Sequence, residues 1–512
     1  MRKLKSMCLM LFCVTSASIL RAQGLKLELV ADTIVEGGVE IVLYDPTHDR
    51  VHAIGASGRM VVGFDESTRT EVLRTATFSD TQDWEATSIA LDPAGRGFGV
   101  VSWVPSPPDS VPGMVQVISL ATGDPVWQFT IGFHPDCLMF SPDGQFLYAA
   151  NEGEPHSTDH LGAITVADLR GIQTIEDFAG FNSVRTYPVD DLNLGEGVHL
   201  DGLRITPEHQ AYPGVNIEPE YIASTNGGAW VSLQENNGLA YFDIEQRKWT
   251  RVIPLAPLSF AFDPSETDGV RLHSGEGFGL LAMPDTIVHY EQHGRSYIVT
   301  ANEGEKTAGH ELRIGDAIEA GLIDPERVAA LERDFGDLEA SGVDRLFISI
   351  IDGDIDGDGD LDVLCPQGGR SISIIDAETG VVVWNSGPQI ELLTGMLFPD
   401  QYNAGDSRSD RAGPEPEGIA LKAHNGRTLM AVGLERTNAV LLYDATNPYA
   451  PAFLDAVALS GDCQGPEGLS IFEREQRLFL AVASEEGGCL TVYEIADREE
   501  RKRNPLPLGT GP

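Results

Sequence analysis

Basic residues are scarce in this 512-residue chain: 35 lysines and arginines stand against 78 aspartates and glutamates, a formal net charge of −43. A surface of that sign repels phosphate backbones, which argues against a nucleic-acid binder, and it disfavours anionic membrane surfaces for the same reason. It favours cations, although a plain solvated acidic surface accounts for part of the charge. Cysteine is sparse too, with six in all and no C-x-x-C spacing, so thiolate-bound zinc is not expected. Beyond the N-terminus no apolar run is long enough to cross a bilayer. The G-x-S-x-G, H-E-x-x-H and P-loop motifs are absent. The 12 histidines are scattered, and even His134, His156 and His160 read as structural or surface residues.

What is present begins with Arg2, Lys3 and Lys5, followed by the mostly apolar Met7 to Leu20 and a cleavage point after Ala22. This pattern is a signal peptide over residues 1–22, so a secreted protein, periplasmic or extracellular, is expected. Cleavage leaves Cys137, Cys365, Cys463 and Cys489 in an oxidising compartment. There Cys463 and Cys489, which share one repeat, can pair; free buried thiols are the alternative. Residues 497–512 are densely charged and then rich in Pro and Gly, and read as a disordered tail without an anchor.

A repeat organises the rest. Pro135-Asp136, Pro219-Glu220, Pro284-Asp285, Pro416-Glu417 and Pro466-Glu467 each open a short apolar strand, followed by a polar turn, a second strand, a loop and a third strand. Weaker copies start at Glu40 and Glu85, which makes seven. Repeats of this size with several short strands are propeller blades. The expected fold is therefore all-β, a seven-bladed β-propeller over residues 23–496. Leu25-Lys26-Leu27-Glu28-Leu29-Val30 alternates apolar and polar residues and is expected to add the outer strand of the last blade. Insertions are expected at about 171–215 and 305–365, the second with a helix over Ala317 to Phe335.

Four constellations are candidates for chemistry. The repeat-start acids Glu40, Glu85, Asp136, Glu220, Asp285, Glu417 and Glu467 occupy equivalent positions on innermost strands, which a propeller gathers around its axis. Like charges so confined share protons or bind cations, and oxygen ligands suit calcium. The alternative is that each acid accepts backbone N–H bonds within its own blade. Glu152, Glu235, Glu303, Glu435 and Glu485 follow the first set by 15 to 18 residues, so an antiparallel return brings them to the same end; turn chemistry is the competing reading. Asp352, Asp354, Asp356, Asp358, Asp360 and Asp362 alternate with Gly, Ile and Leu in the manner of a calcium loop, but Val363 stands where an EF-hand has Glu. Finally, Arg408 and Arg411 precede Glu417, with Arg370 and Arg436 as possible companions; they either bind an anion or neutralise an acidic rim.

Several long motifs carry a resemblance to a known family: Asn151-Glu152-Gly153-Glu154-Pro155, Glu218-Pro219-Glu220-Tyr221-Ile222, Thr300-Ala301-Asn302-Glu303-Gly304-Glu305, Asp356-Gly357-Asp358-Gly359-Asp360 and Gly413-Pro414-Glu415-Pro416-Glu417-Gly418. Together they resemble the choice-of-anchor I family of extracellular bacterial propellers, over about residues 25–495. Related chains are described as atypical alkaline phosphatases or as cell-surface glycoproteins. The carboxylate ring and the neighbouring arginines, beside this resemblance, point to a calcium-dependent phosphoesterase, with Glu417, Glu467, Arg408 and Arg411 as the catalytic candidates and a phosphate ester as substrate. The competing expectation is a non-catalytic extracellular binding or adhesion propeller that presents its loops to another ligand. A monomer is expected in either case.

Overall fold

The structure is a computed structural model that describes residues 25–34, 38–55, 58–63, 72–75, 84–108, 110–153, 160–459, 461 and 463–497. The signal peptide, His156, Glu154 and nearly all of the expected tail lie outside these residues.

Among the described residues the chain forms seven four-stranded antiparallel sheets and one two-stranded ribbon. Each of the first six sheets is a meander, uninterrupted in all but the fifth. Examples are Pro219–Thr225, Gly228–Leu233, Gly238–Asp243 and Lys248–Pro254 in the fourth, and Pro416–His424, Arg427–Leu434, Ala439–Asp444 and Ala452–Ala458 in the sixth. The first strand of every sheet packs against the first strands of its neighbours, and Pro466–Arg474 of the last packs against Ile41–Asp45 of the first, so the sheets close into a ring. Both faces of each sheet are covered. This is why second strands such as Phe98–Pro105 are apolar along almost their whole length and entirely buried.

Separate apolar clusters fill the wedges between adjacent sheets. Leu429, Ala431, Leu478 and Leu480 lie between the sixth and seventh, for example, and Tyr148, Ile164, Val231 and Trp249 between the third and fourth. The seventh sheet takes its outer strand from the opposite end of the chain: Leu25–Ile34 pairs antiparallel with Cys489–Asp497. Leu27 is 7% exposed and joins the core of that sheet. A disulfide joins Cys489, which opens the last strand of that sheet, to Cys463 in the connection leading into it, while Cys137 and Cys365 are buried thiols.

The insertions depart in part from expectation. Within 171–215 the strand Val184–Pro188 is the fourth strand of the third sheet, so only its flanks are additions. The segment 305–365 does interrupt the fifth sheet, between Arg295–Asn302 and Ser371–Asp376. It builds its own small core from Ile314, Leu331, Ile348 and Leu361, with Phe262 and Phe278 supplied by the preceding connection. The single expected helix is two, Ile314–Glu319 and Pro325–Phe335. Gly321, at φ +70, ends the first, and Asp324 caps the second by accepting from the backbone N–H groups of Glu326 and Arg327. No helix among the described residues is long and apolar enough to cross a membrane.

Two substitutions test this account of the closing sheet. Leu27→Ala should cost about 2–4 kcal/mol in urea unfolding. Cys463→Ser should cost a further ~2–4 kcal/mol under non-reducing conditions. Unchanged midpoints would mean that the terminal strand and its crosslink contribute nothing to ring stability.

Candidate functional site

Every inner strand begins at the same end of the ring, and its opening acid sits where pairing is irregular. In the third, fourth, sixth and seventh sheets the register shifts between Pro135 and Leu138, Pro219 and Ile222, Pro416 and Ile419, and Pro466 and Leu469. Such bulges re-aim side chains, here those of Asp136, Glu220, Glu417 and Glu467. Asp285 and Glu40 stand just ahead of their strands. The glycines after Glu417 and Glu467 are required by close approach: a Cβ at Gly418 would run into the Glu467 carbonyl, and one at Gly468 into that of Glu40.

The result is a cavity of about 320 Å³ lined by Glu40, Asp136, Glu152, Glu220, Asp285, Glu303, Glu305, Glu417, Glu467 and Glu485, with Thr87, Gln234, Ile41 and Tyr221. Glu85 does not join them. The second sheet has its bulge one step later, between Ala86 and Ser88. Thr87 therefore takes the ring position and donates to the Pro135 carbonyl, while Glu85 is exposed.

The second set of glutamates returns to the same end. Oxygens from Glu152, Glu220 and Glu235 lie within 4.8 Å of one another, as do those from Asp285, Glu303 and Glu417, and from Glu303, Glu415 and Glu435. Burial is the largest cause of the raised pKa at each affected acid, and neighbouring carboxylates add to it. Asp285 is pushed up to about 8 by burial and by Asp136. Glu435 also reaches about 8, through burial and Glu415 and against the opposing pull of Arg436. Glu467 reaches about 11 through burial and its hydrogen bond with Glu485. Glu220, Glu303 and Glu417 are raised well above the usual carboxylate range, again chiefly by burial. The Oε2 atoms of Glu220, Glu235 and Glu417 are buried without a hydrogen-bond partner. Orphaned carboxylate oxygens in an oxygen-only donor set fit a hard divalent cation.

A second cavity of about 250 Å³ shares Glu303 and Glu305 with the first and adds Lys306, Glu311, Phe347, Arg408, Arg411, Glu415 and Arg436. Arg408 donates through Nε and Nη2 to Glu415 Oε1, and Arg436 Nε to Glu415 Oε2 at 2.9 Å. Arg411 lies over the Phe347 ring at 4.5 Å, with its nearest carboxylate, Asp410, at 3.9 Å. It is thus the least engaged guanidinium of the wall. Arg370 is not part of this pocket. It is fully buried, pairs with Glu391 at 2.8 Å, and donates to the Ser409 and Arg411 carbonyls, so it props the loop that carries Arg408 and Arg411.

The aspartate loop lies apart, in the 305–365 insertion. Oxygens of Asp354, Asp356 and Asp362 come within 4.8 Å of one another, and so do those of Asp324, Asp360 and Asp362. Asp358 belongs to neither trio; it accepts from the Asp360 N–H. Asp352 turns away to Arg204 Nε at 2.7 Å and to the Ser349 hydroxyl. Repulsion from Asp358 raises Asp356, and modest desolvation followed by Asp358 raises Asp360.

Glu415, Glu218 (whose charge helps raise the Glu235 carboxyl), Glu305, Asp324 and Arg204 are site residues that the repeat reading passes over. Glu-Pro-Glu occurs twice, at Glu218–Glu220 and Glu415–Glu417, and that duplication is the signal that points to the first two.

Raised carboxyl pKa values mean that the folded chain holds protons that the unfolded chain releases. Their contribution to stability is therefore present in acid and is lost as pH rises from about 4 through the folded values. In chelator, the thermal midpoint should fall from about pH 5 to about pH 9, and calcium should restore more stability at the higher pH. A midpoint that is flat or rising over this window would contradict the buried carboxylate ring.

The model of the choice-of-anchor I domain matches residues 40–448. Among curated proteins, Gigasin-3a from Magallana gigas is 29% identical over 111 residues, 20% of this chain and 39% of the relative. The mesenchyme-specific cell surface glycoprotein of Strongylocentrotus purpuratus is 25% identical over 235 residues, 38% of this chain and 30% of the relative. The chain thus spans only about a third of the length of these relatives. Among solved structures, the Cps50 (Swd1) β-propeller domain of Myceliophteria thermophila aligns with a TM-score of 0.44 at 10% identity, over 92% of this chain and all of the other. A chain of a mitotic checkpoint complex aligns at 0.47 and 9%, over 92% and 96%. The family match takes in the axial acids from Glu40 to Glu435, the aspartate loop and the arginine wall, and on it the chain belongs to the choice-of-anchor I family.

Proposed function

We propose that this protein is a secreted, seven-bladed β-propeller that binds calcium at its axial carboxylates and in its aspartate loop, and that hydrolyses phosphate esters where the acidic cavity meets the arginine pocket. The observation that carries this reading is the shared wall: Glu303 and Glu305 line both cavities. Asp285, Glu303, Glu415, Glu417 and Glu435 would hold the cation on one side of it, with Glu467 further into the axial cavity. When bound, calcium supplies charge neutralisation and Lewis acidity toward a phosphoryl oxygen. Arg411, Arg436 and Lys306 would bind the anionic group on the other side. Arg408 acts by fixing Glu415 against Arg436. Export to an oxidising compartment is supported by the Cys463–Cys489 disulfide.

A second reading is a non-catalytic propeller of the cell surface, favoured by the name of the sea-urchin relative. The two separate on turnover. With calcium at alkaline pH the protein should hydrolyse an aryl phosphate, and chelator should abolish the reaction. Arg411→Ala should raise KM about ten-fold or more, and Glu303→Gln should lower kcat by about 10–100-fold. If there is no chelator-sensitive turnover, the hydrolase reading fails; phosphate protection of the arginine pocket without turnover would then favour the binding protein.

A further inference from the structure

Glu152 and Glu220 line the axial cavity, and the arginine pocket is lined by neither of them nor by Glu235. They come from two adjacent sheets. Glu152 follows the second strand of the third sheet, Glu220 opens the fourth, and Glu235 follows the fourth sheet's second strand. One oxygen of each lies within 4.8 Å of the other two. Glu220 is only 7% exposed, and its Oε2 is buried with no hydrogen-bond donor. The Oε2 of Glu235 is in the same condition. No lysine, arginine or histidine is among the side chains lining the axial cavity. His134 Nδ1, 2.9 Å from Glu152 Oε2, holds the outer member in place. Three carboxylates are thus brought together across a sheet boundary, with two of their buried oxygens left unanswered, which is a costly arrangement unless a cation completes it.

We propose that these three glutamates form a distinct calcium site that fastens the third sheet to the fourth and does not meet the substrate. The donor set is all carboxylate oxygen, which selects a hard cation. Calcium accepts about six to eight oxygens in flexible geometry, which three carboxylates completed by water can supply, whereas magnesium demands a near-ideal octahedron. A clamp is useful at this boundary. The chain leaves the third sheet at Pro188 and enters the fourth only at Pro219, after a long irregular connection. The inference rests on the cation-binding half of the proposed function and is independent of hydrolysis.

The test counts calcium in the full-length protein by native mass spectrometry. Glu220→Gln and Glu235→Gln should each bind one ion fewer than the wild type. The double variant should lose no more than either single change, because both residues serve the same ion. Adding Glu303→Gln, which belongs to the neighbouring carboxylate trios, should remove a further ion. An unchanged count in the single variants, or a loss of two ions in the double variant, would overturn the shared site. Should the glutamine variants not fold, terbium provides the second measurement on a chain with every carboxylate intact. Emission sensitised by Tyr221, next to Glu220, should be displaced by calcium and fall several-fold in Tyr221→Phe. Emission that is absent, or undiminished by Tyr221→Phe, overturns the site. Either assay can fail while ester hydrolysis persists, and either can succeed without it.

Discussion

Mutual repulsion among carboxylates facing one axis is the constraint to which the other parts of this structure answer. Ten acidic side chains line a cavity of about 320 Å³. Nothing in hydrophobic packing asks for them there, and burial makes Glu220, Asp285, Glu303, Glu417 and Glu467 harder to ionise. What holds them inward is the ring itself: apolar wedges between neighbouring sheets press the inner strands together from outside. Gly418 and Gly468 then let the inner strands approach more closely than any side chain would allow. Positive charge is kept just off the axis. Arg436 and Arg408 grip Glu415 from two sides, and Arg204 reaches the Glu235 carbonyl from behind. The cavity thus stays acidic while its rim is neutralised.

The repeat made much of this legible, because equivalent positions in a closed ring must converge. The two sets of acids share one end of the ring for that reason, and the alternation from Leu25 to Val30 marks a strand that needs a partner, which runs on to Ile34. What escaped was local. Glu85 and Thr87 differ only in where a bulge falls, and a one-residue shift of that kind leaves no mark in composition. Arg370 reads like the other arginines near Glu417, yet it is buried under their loop; its distinction lies in Asp263 and Glu391, which are remote in sequence. Asp324 joins the aspartate loop from a helix cap, across a gap that spacing alone could not bridge.

The two insertions meet through the Arg204 guanidinium and through the His310–Glu208 pair. Arg204, 8% exposed, donates to Asp352 at the start of the aspartate loop, to Thr307 and to the backbone of Glu235. The loop is therefore tethered to the axial region and does not hang free. Asp352, which sequence reading counts among the loop's ligands, is instead the anchor of that tether.

The pairing of Leu25–Ile34 with Cys489–Asp497 carries an implication for biogenesis. Leu25–Ile34 emerges during synthesis long before its partner Cys489–Asp497, so the ring cannot seal until the seventh sheet has been made. Until then the growing end has an unsatisfied edge, and the incomplete seventh sheet leaves one apolar wedge open. A chain exported in an extended form, with all its strands delivered together, avoids a long wait in that half-closed state.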